Sequence, residues 1–149
     1  MVPRLLNRIY GTVEKGAADF GYIKRKIYKK ALSSKLKMLE RGQVTTNSIW
    51  DRLVFRKIQA LIGGNVRLMF TGGAPVDGAV LRFARAAFGS IIVEGYGQTE
   101  TTAAATLTVP GDWKGDHVGG PLPWAHVKLI DVPEMGYFAN QDKTLIRTT

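Results

Sequence analysis

The chain contains no cysteine. That excludes a disulfide framework, a thiolate zinc site and a cysteine nucleophile. Its two histidines, His117 and His126, are too few for a histidine-rich metal cluster, and each reads as a loop or strand residue. No apolar run approaches the roughly 20 residues that a membrane-spanning helix needs. The start, Met1-Val2-Pro3-Arg4-Leu5-Leu6, has neither the apolar centre nor the small-residue cleavage site of a signal peptide. Acidic residues are scarce in the first part. Residues 1–60 hold 14 Lys/Arg against 4 Asp/Glu, a net +10, whereas 61–149 hold 7 against 8, a net −1. What remains is an ordinary globular composition, 45% hydrophobic and 22% charged over 149 residues, enough for one domain core.

Helices come first. Residues 4–15 carry Leu5, Leu6 and Ile9 at helical spacing behind Pro3, with Gly16 interrupting the pattern. Residues 20–41 predict a strongly basic helix. Its apolar stripe is Tyr22, Ile23, Ile27, Ala31, Leu32, Leu36 and Leu39, its lysines fill the other faces, and Gly42 stops it. Residues 48–62 predict a third helix, capped by Ser48 or Asn47, with Ile49, Leu53, Ile58, Leu61 and Ile62 inward.

The pattern then changes to strands. Val66-Arg67-Leu68-Met69-Phe70 is a short, mostly apolar run bounded by glycines. Residues 77–88 read as a helix with Val80, Leu81, Ala84 and Phe88 inward, and Ile91-Ile92-Val93 as a second buried strand. Strand, helix, strand is the βαβ signature of a parallel sheet, so the expected class is α/β. His126–Asp131 is expected to form a third strand.

In a parallel sheet the loops that follow two strands leave the same edge, where α/β proteins bind ligands. The first loop is Thr71-Gly72-Gly73-Ala74-Pro75, small enough for a flat ligand to pack against its backbone. The second is Glu94-Gly95-Tyr96-Gly97-Gln98-Thr99-Glu100. Tyr96 offers a face for a planar base, Thr99 a donor for a phosphate oxygen, and Glu100 an oxygen ligand of the kind Mg²⁺ prefers. Base, phosphate and metal describe a nucleoside triphosphate site. The same residue types also serve an ordinary βα loop, where a Tyr or Thr after a strand is only a cap.

Glu94-Gly95-Tyr96-Gly97-Gln98-Thr99-Glu100-Thr101 resembles the adenine-site motif of the adenylate-forming (AMP-binding) enzymes. Thr71–Pro75 resembles the loop before it in that superfamily, and His117-Val118-Gly119-Gly120-Pro121-Leu122-Pro123 the segment after it. Val2–Tyr10, Ser48–Phe55 and Val109-Pro110-Gly111-Asp112-Trp113 resemble the eukaryotic long-chain acyl-CoA synthetases in particular. The resemblance covers residues 1–135, an internal slice of the family's large N-terminal domain, and 136–149 departs from it as a divergent tail.

It implies a fatty acid–CoA ligase that uses ATP, Mg²⁺ and coenzyme A. The fatty acid carboxylate attacks the α-phosphate to give an acyl-adenylate and pyrophosphate, and the coenzyme A thiol then displaces AMP. By matching position, Gly72, Gly73, Ala74, Pro75, Glu94, Gly95, Tyr96, Gly97 and Thr99 would bind nucleotide. Tyr96 would pack on adenine opposite Gly73 and Ala74, and Glu94 would lie near the adenine amino group. Thr99 and Glu100 would act on the reacting phosphate, Glu100 through the metal.

The family's phosphate loop, ribose-binding aspartate, hinge and C-terminal lysine match nothing here. The isolated chain is therefore expected to be inactive and, with sheet neighbours missing, to associate. The full-length enzyme is expected inside the cell, on the cytosolic face of the endoplasmic reticulum or another organelle membrane, with any membrane attachment carried by other sequence. The basic helix 20–41 reads as a solvated face. Alternatively it is a surface for anionic lipid or coenzyme A phosphates, and on that reading the chain would be a non-catalytic interaction module. No nucleic-acid motif accompanies the charge.

Overall fold

The computed structural model describes residues 2–139. Helix α1 spans Pro3–Ala18 and α2 spans Tyr22–Glu40. A π-helical turn, Asp51–Phe55, leads into the short α3, Arg56–Ala60. Strand β1 (Leu68–Gly72), helix α4 (Gly78–Phe88) and strand β2 (Ile91–Tyr96) follow. Two-residue strands β3 (Thr106–Leu107) and β4 (Gly120–Pro121) complete a sheet of order β1-β2-β3-β4. β1 and β2 are parallel, whereas β3 pairs antiparallel with β2 and β4 antiparallel with β3.

α4 is the centre of the packing. Asp77 caps its start, accepting from the backbone of Ala79 (2.7 Å) and Val80 (3.4 Å), and Gly89 ends it at φ 62°. The expected inward residues Val80, Leu81, Ala84 and Phe88 are all buried. One face of α4 covers Met69 of β1 and Ile92 of β2. On its other sides lie Leu6 of α1, Ala31 of α2 and Phe55, and Tyr10 meets Phe83 edge-on at 5.0 Å.

Three expectations are corrected. The first helix runs through Gly16 to Ala18, since one glycine costs only about 1 kcal/mol in a helix packed elsewhere along its length. Residues 126–131 form no strand, and none of them makes a backbone–backbone hydrogen bond among the described residues. A strand needs a partner, and none lies beside this one among the described residues.

The third correction concerns which faces are buried. In α2 the buried residues are Tyr28, Ala31, Lys35 and Leu39, while Tyr22, Ile23 and Ile27 stand exposed. In 49–62 the expected Ile49, Leu53 and Leu61 are exposed, and Asp51, Phe55, Ile58 and Gln59 are buried. One ion pair explains both shifts. Lys35 Nζ reaches Asp51 Oδ1 at 2.9 Å and Oδ2 at 3.0 Å, and also donates to the Thr45 carbonyl. Asp51 accepts further from Ser48 N (2.9 Å), Ser48 Oγ (2.5 Å) and Gln59 Nε2 (2.7 Å), so every carboxylate oxygen is satisfied. Gln59 Nε2 also reaches the Ala87 carbonyl of α4 at 3.2 Å. The two helices therefore turn their polar positions inward to meet, and hydrophobic spacing alone misplaces them by a fraction of a turn.

Candidate nucleotide site

The register of β1 and β2 sets Thr71 beside Glu94 and Gly72 beside Gly95. The loops at 73–77 and 97–105 therefore leave one edge of the sheet side by side, as parallel pairing requires. The edge is open: Gly73, Ala74, Pro75, Gln98, Thr99 and Glu100 are exposed, and Tyr96 and Gly97 are half-buried. Gly73 turns the first loop at φ 83°, a left-handed conformation that disfavours any side chain.

In the second loop a Cβ on Gly97 would overlap the Ala103 carbonyl, so only glycine lets the chain double back there. Thr99–Thr101 is a 3-10 turn closed by Gln98, whose N–H donates to Thr101 Oγ1 at 2.8 Å. The Gln98 side-chain amide donates to the Tyr96 hydroxyl and so orients that ring. The third segment joins the same sheet: β3 pairs with both β2 and β4, and Thr106 Oγ1 donates to the Val118 carbonyl at 2.9 Å.

Glu94 differs from its neighbours. Its side chain is 3% exposed and lies beneath the edge. The Val76 backbone N–H donates to its carboxyl, while Oε2 has no hydrogen-bond partner among the described residues. Burial pushes its pKa upward. The Val76 hydrogen bond and the positive ends of Arg85 and His117 resist the shift, and Asp116 adds to it. Deprotonation is thus harder in the fold than in the unfolded chain. The associated stability is present while both states are protonated, and is lost as pH rises from the ordinary carboxylate range through the elevated native value. Glu94→Gln is therefore expected to raise the melting temperature at neutral pH but not near pH ~4, where the unfolded chain also holds its proton. A difference between the two proteins that stayed constant across that range would remove this assignment.

Sequence reasoning missed the groups beneath the loops. Arg85, 1% exposed, donates from Nε to the Ile92 carbonyl (2.9 Å) and from Nη1 to the Lys114 carbonyl (3.1 Å), and lies over Trp113. Gly78 N donates to Asp116 Oδ1 at 3.1 Å, and His117 Nε2 meets Asp112 Oδ2 at 3.1 Å. These contacts tie 112–117 to α4 and β2. The two links from α4 to this segment span 38 residues (Gly78 to Asp116) and 29 residues (Arg85 to Lys114), separations that no local pattern encodes.

The sequence model of the AMP-binding enzymes matches residues 1–144. The chain belongs to that family. Among curated relatives of this AMP-binding chain, guinea-pig (Cavia porcellus) long-chain-fatty-acid–CoA ligase 1 is 50% identical over 139 residues, 93% of this chain. Rat (Rattus norvegicus) long-chain-fatty-acid–CoA ligase 6 is 48% identical over 141 residues, 95% of this chain. Arabidopsis thaliana long chain acyl-CoA synthetase 7, peroxisomal, is 42% identical over 136 residues, 91% of this chain. The match covers only 20%, 20% and 19% of those relatives, so the chain spans about a fifth of their length. No solved structure matches it. Relatives of this kind favour a segment of a ligase over a non-catalytic interaction module. No helix among the described residues is long and apolar enough to cross a membrane.

Among the described residues no group of three or more Asp, Glu, His or Cys could hold a metal by itself. A single exposed carboxylate, Glu100, at an open edge still fits Mg²⁺, which is commonly bound by one or two carboxylates together with substrate phosphates and water. The exposed small-residue loop, side by side with the loop that carries Tyr96, likewise fits a planar base.

Proposed function

We propose that this chain supplies the base- and metal-binding edge of an ATP-dependent long-chain fatty acid–CoA ligase. The observation that carries the reading is the register pairing of Gly72 with Gly95, which sets the 73–75 backbone against the loop of Tyr96, Thr99 and Glu100. Adenine lies between Tyr96 and Gly73-Ala74. Glu94 supports the loop from below, and its Oε2, without a hydrogen-bond partner among the described residues, accepts from the adenine amino group.

Thr99 donates its hydroxyl to a phosphate oxygen. Glu100 holds Mg²⁺, which when bound supplies positive charge to the phosphates. The chain's own contribution is to hold the α-phosphate in line with an entering fatty acid carboxylate. The rest of the enzyme supplies the remaining phosphate contacts, the coenzyme A site and any membrane-spanning anchor, on the cytosolic face of an organelle membrane.

The test is a chimera in which this chain replaces the matched fifth of human long-chain-fatty-acid–CoA ligase 1, a relative 50% identical over 139 residues. The chimera is expected to form acyl-CoA from a long-chain fatty acid. Tyr96→Ala in it is expected to raise KM for ATP by roughly 5- to 150-fold, the loss of about 1–3 kcal/mol of base stacking, with KM for the fatty acid unchanged. An unaltered KM for ATP removes Tyr96 from the base site.

A further inference from the structure

The first two turns of α2 stand clear of the molecule. Of residues 21–30 only Tyr28 is buried. Farther along, the helix is held by Ala31, Lys35 and Leu39, so the opposite face points away from the body. That outer face carries Lys26, Lys29, Lys30 and Lys37, with Tyr22 (81% exposed) and Ile23 (72% exposed) at its free end. Ile27 and Phe20 beside them are also exposed. No acidic residue occurs between Asp19 and Glu40, so no carboxylate interrupts the strip from Tyr22 to Leu39. The Lys35–Asp51 pair consumes the one inward lysine and leaves the outer ones uncommitted.

We propose that this face of α2 docks on an anionic lipid bilayer. Lysines at spacings of three and four present one cationic strip to lipid phosphates and carboxylates, where each cation adds favourably to binding. Tyr22 and Ile23 end the strip as an aromatic and an aliphatic wedge of the kind that enters the headgroup boundary. The cations alone would suit any polyanion. The exposed aliphatic Ile23 selects the bilayer over nucleic acid, because it gains from an apolar phase and has no ring to stack on a base. The docking does not require the nucleotide reading, and its assay contains no nucleotide.

Flotation of the full chain with phosphatidylcholine vesicles, with and without phosphatidylserine, tests it. Binding is expected only with phosphatidylserine and is expected to weaken as salt rises. Exchanging Lys26, Lys29 and Lys30 together for glutamine is expected to weaken binding by roughly a hundredfold, from about fivefold per cation. Tyr22→Ser with Ile23→Ser is expected to remove the part of the binding that survives high salt. These positions are exposed, so helical circular dichroism should match the parent, which separates loss of docking from loss of fold. Equal binding to both vesicle types, or phosphatidylserine binding that survives the triple exchange, overturns the proposal. Salt-sensitive binding to single-stranded RNA that is as tight, and indifferent to the Tyr22 and Ile23 changes, also overturns it and assigns the face to nucleic acid.

Discussion

Asp51→Ala is expected to destabilise the fold by about 3–5 kcal/mol, a large share of the few kcal/mol that hold a domain folded. The change leaves Lys35, 3% exposed, without its counter-ion, and strands the Ser48 and Gln59 donors that now converge on the carboxylate. Because Gln59 also holds the Ala87 carbonyl, the loss spreads to the end of α4. Lys35→Met together with Asp51→Leu is expected to recover much of the stability, since an apolar pair of similar volume avoids the burial of charge. Urea unfolding of the three chains decides it. A single Asp51→Ala protein with an unchanged midpoint would show that water replaces the carboxylate at no cost.

Glu100→Ala in the ligase chimera is expected to slow adenylate formation by about a hundredfold or more, since a bound metal contributes several kcal/mol of charge stabilisation at a reacting phosphoryl group. The residue is exposed, so melting temperature should not move. The deficit should shrink as Mg²⁺ is raised, because one lost carboxylate ligand weakens the metal's hold without abolishing it. Pyrophosphate exchange measured across a Mg²⁺ titration reads this directly. Normal turnover at limiting Mg²⁺ would sink the metal role and leave the base-stacking role of Tyr96 standing alone.

The α/β class and the order of elements through β2 were legible because each rests on local chemistry. Asp77 and Gly89 mark the ends of α4, and the period of Val80, Leu81, Ala84 and Phe88 marks its inner face. The short apolar runs before Gly72 and Gly95 mark two strands, and the crossover between them implies that both loops share an edge. The residues of the candidate site were legible for the same reason: they lie in two compact loops, each read from a few consecutive positions.

Tertiary structure alone decided the rest. Whether 126–131 becomes a strand depends on a neighbour, not on its own alternation. Which lysine of a basic helix goes inside depends on an aspartate 16 residues away. That Glu94 is enclosed while Glu100 is open, although both belong to one motif, depends on the loop at Val76 and on Arg85 reaching across from α4. The sequence by itself determined what its local periods and turns encode, together with the family those motifs belong to. Burial, charge pairing and sheet extension were set by groups distant along the chain, because the free energy of a buried polar group belongs to the partner it finds.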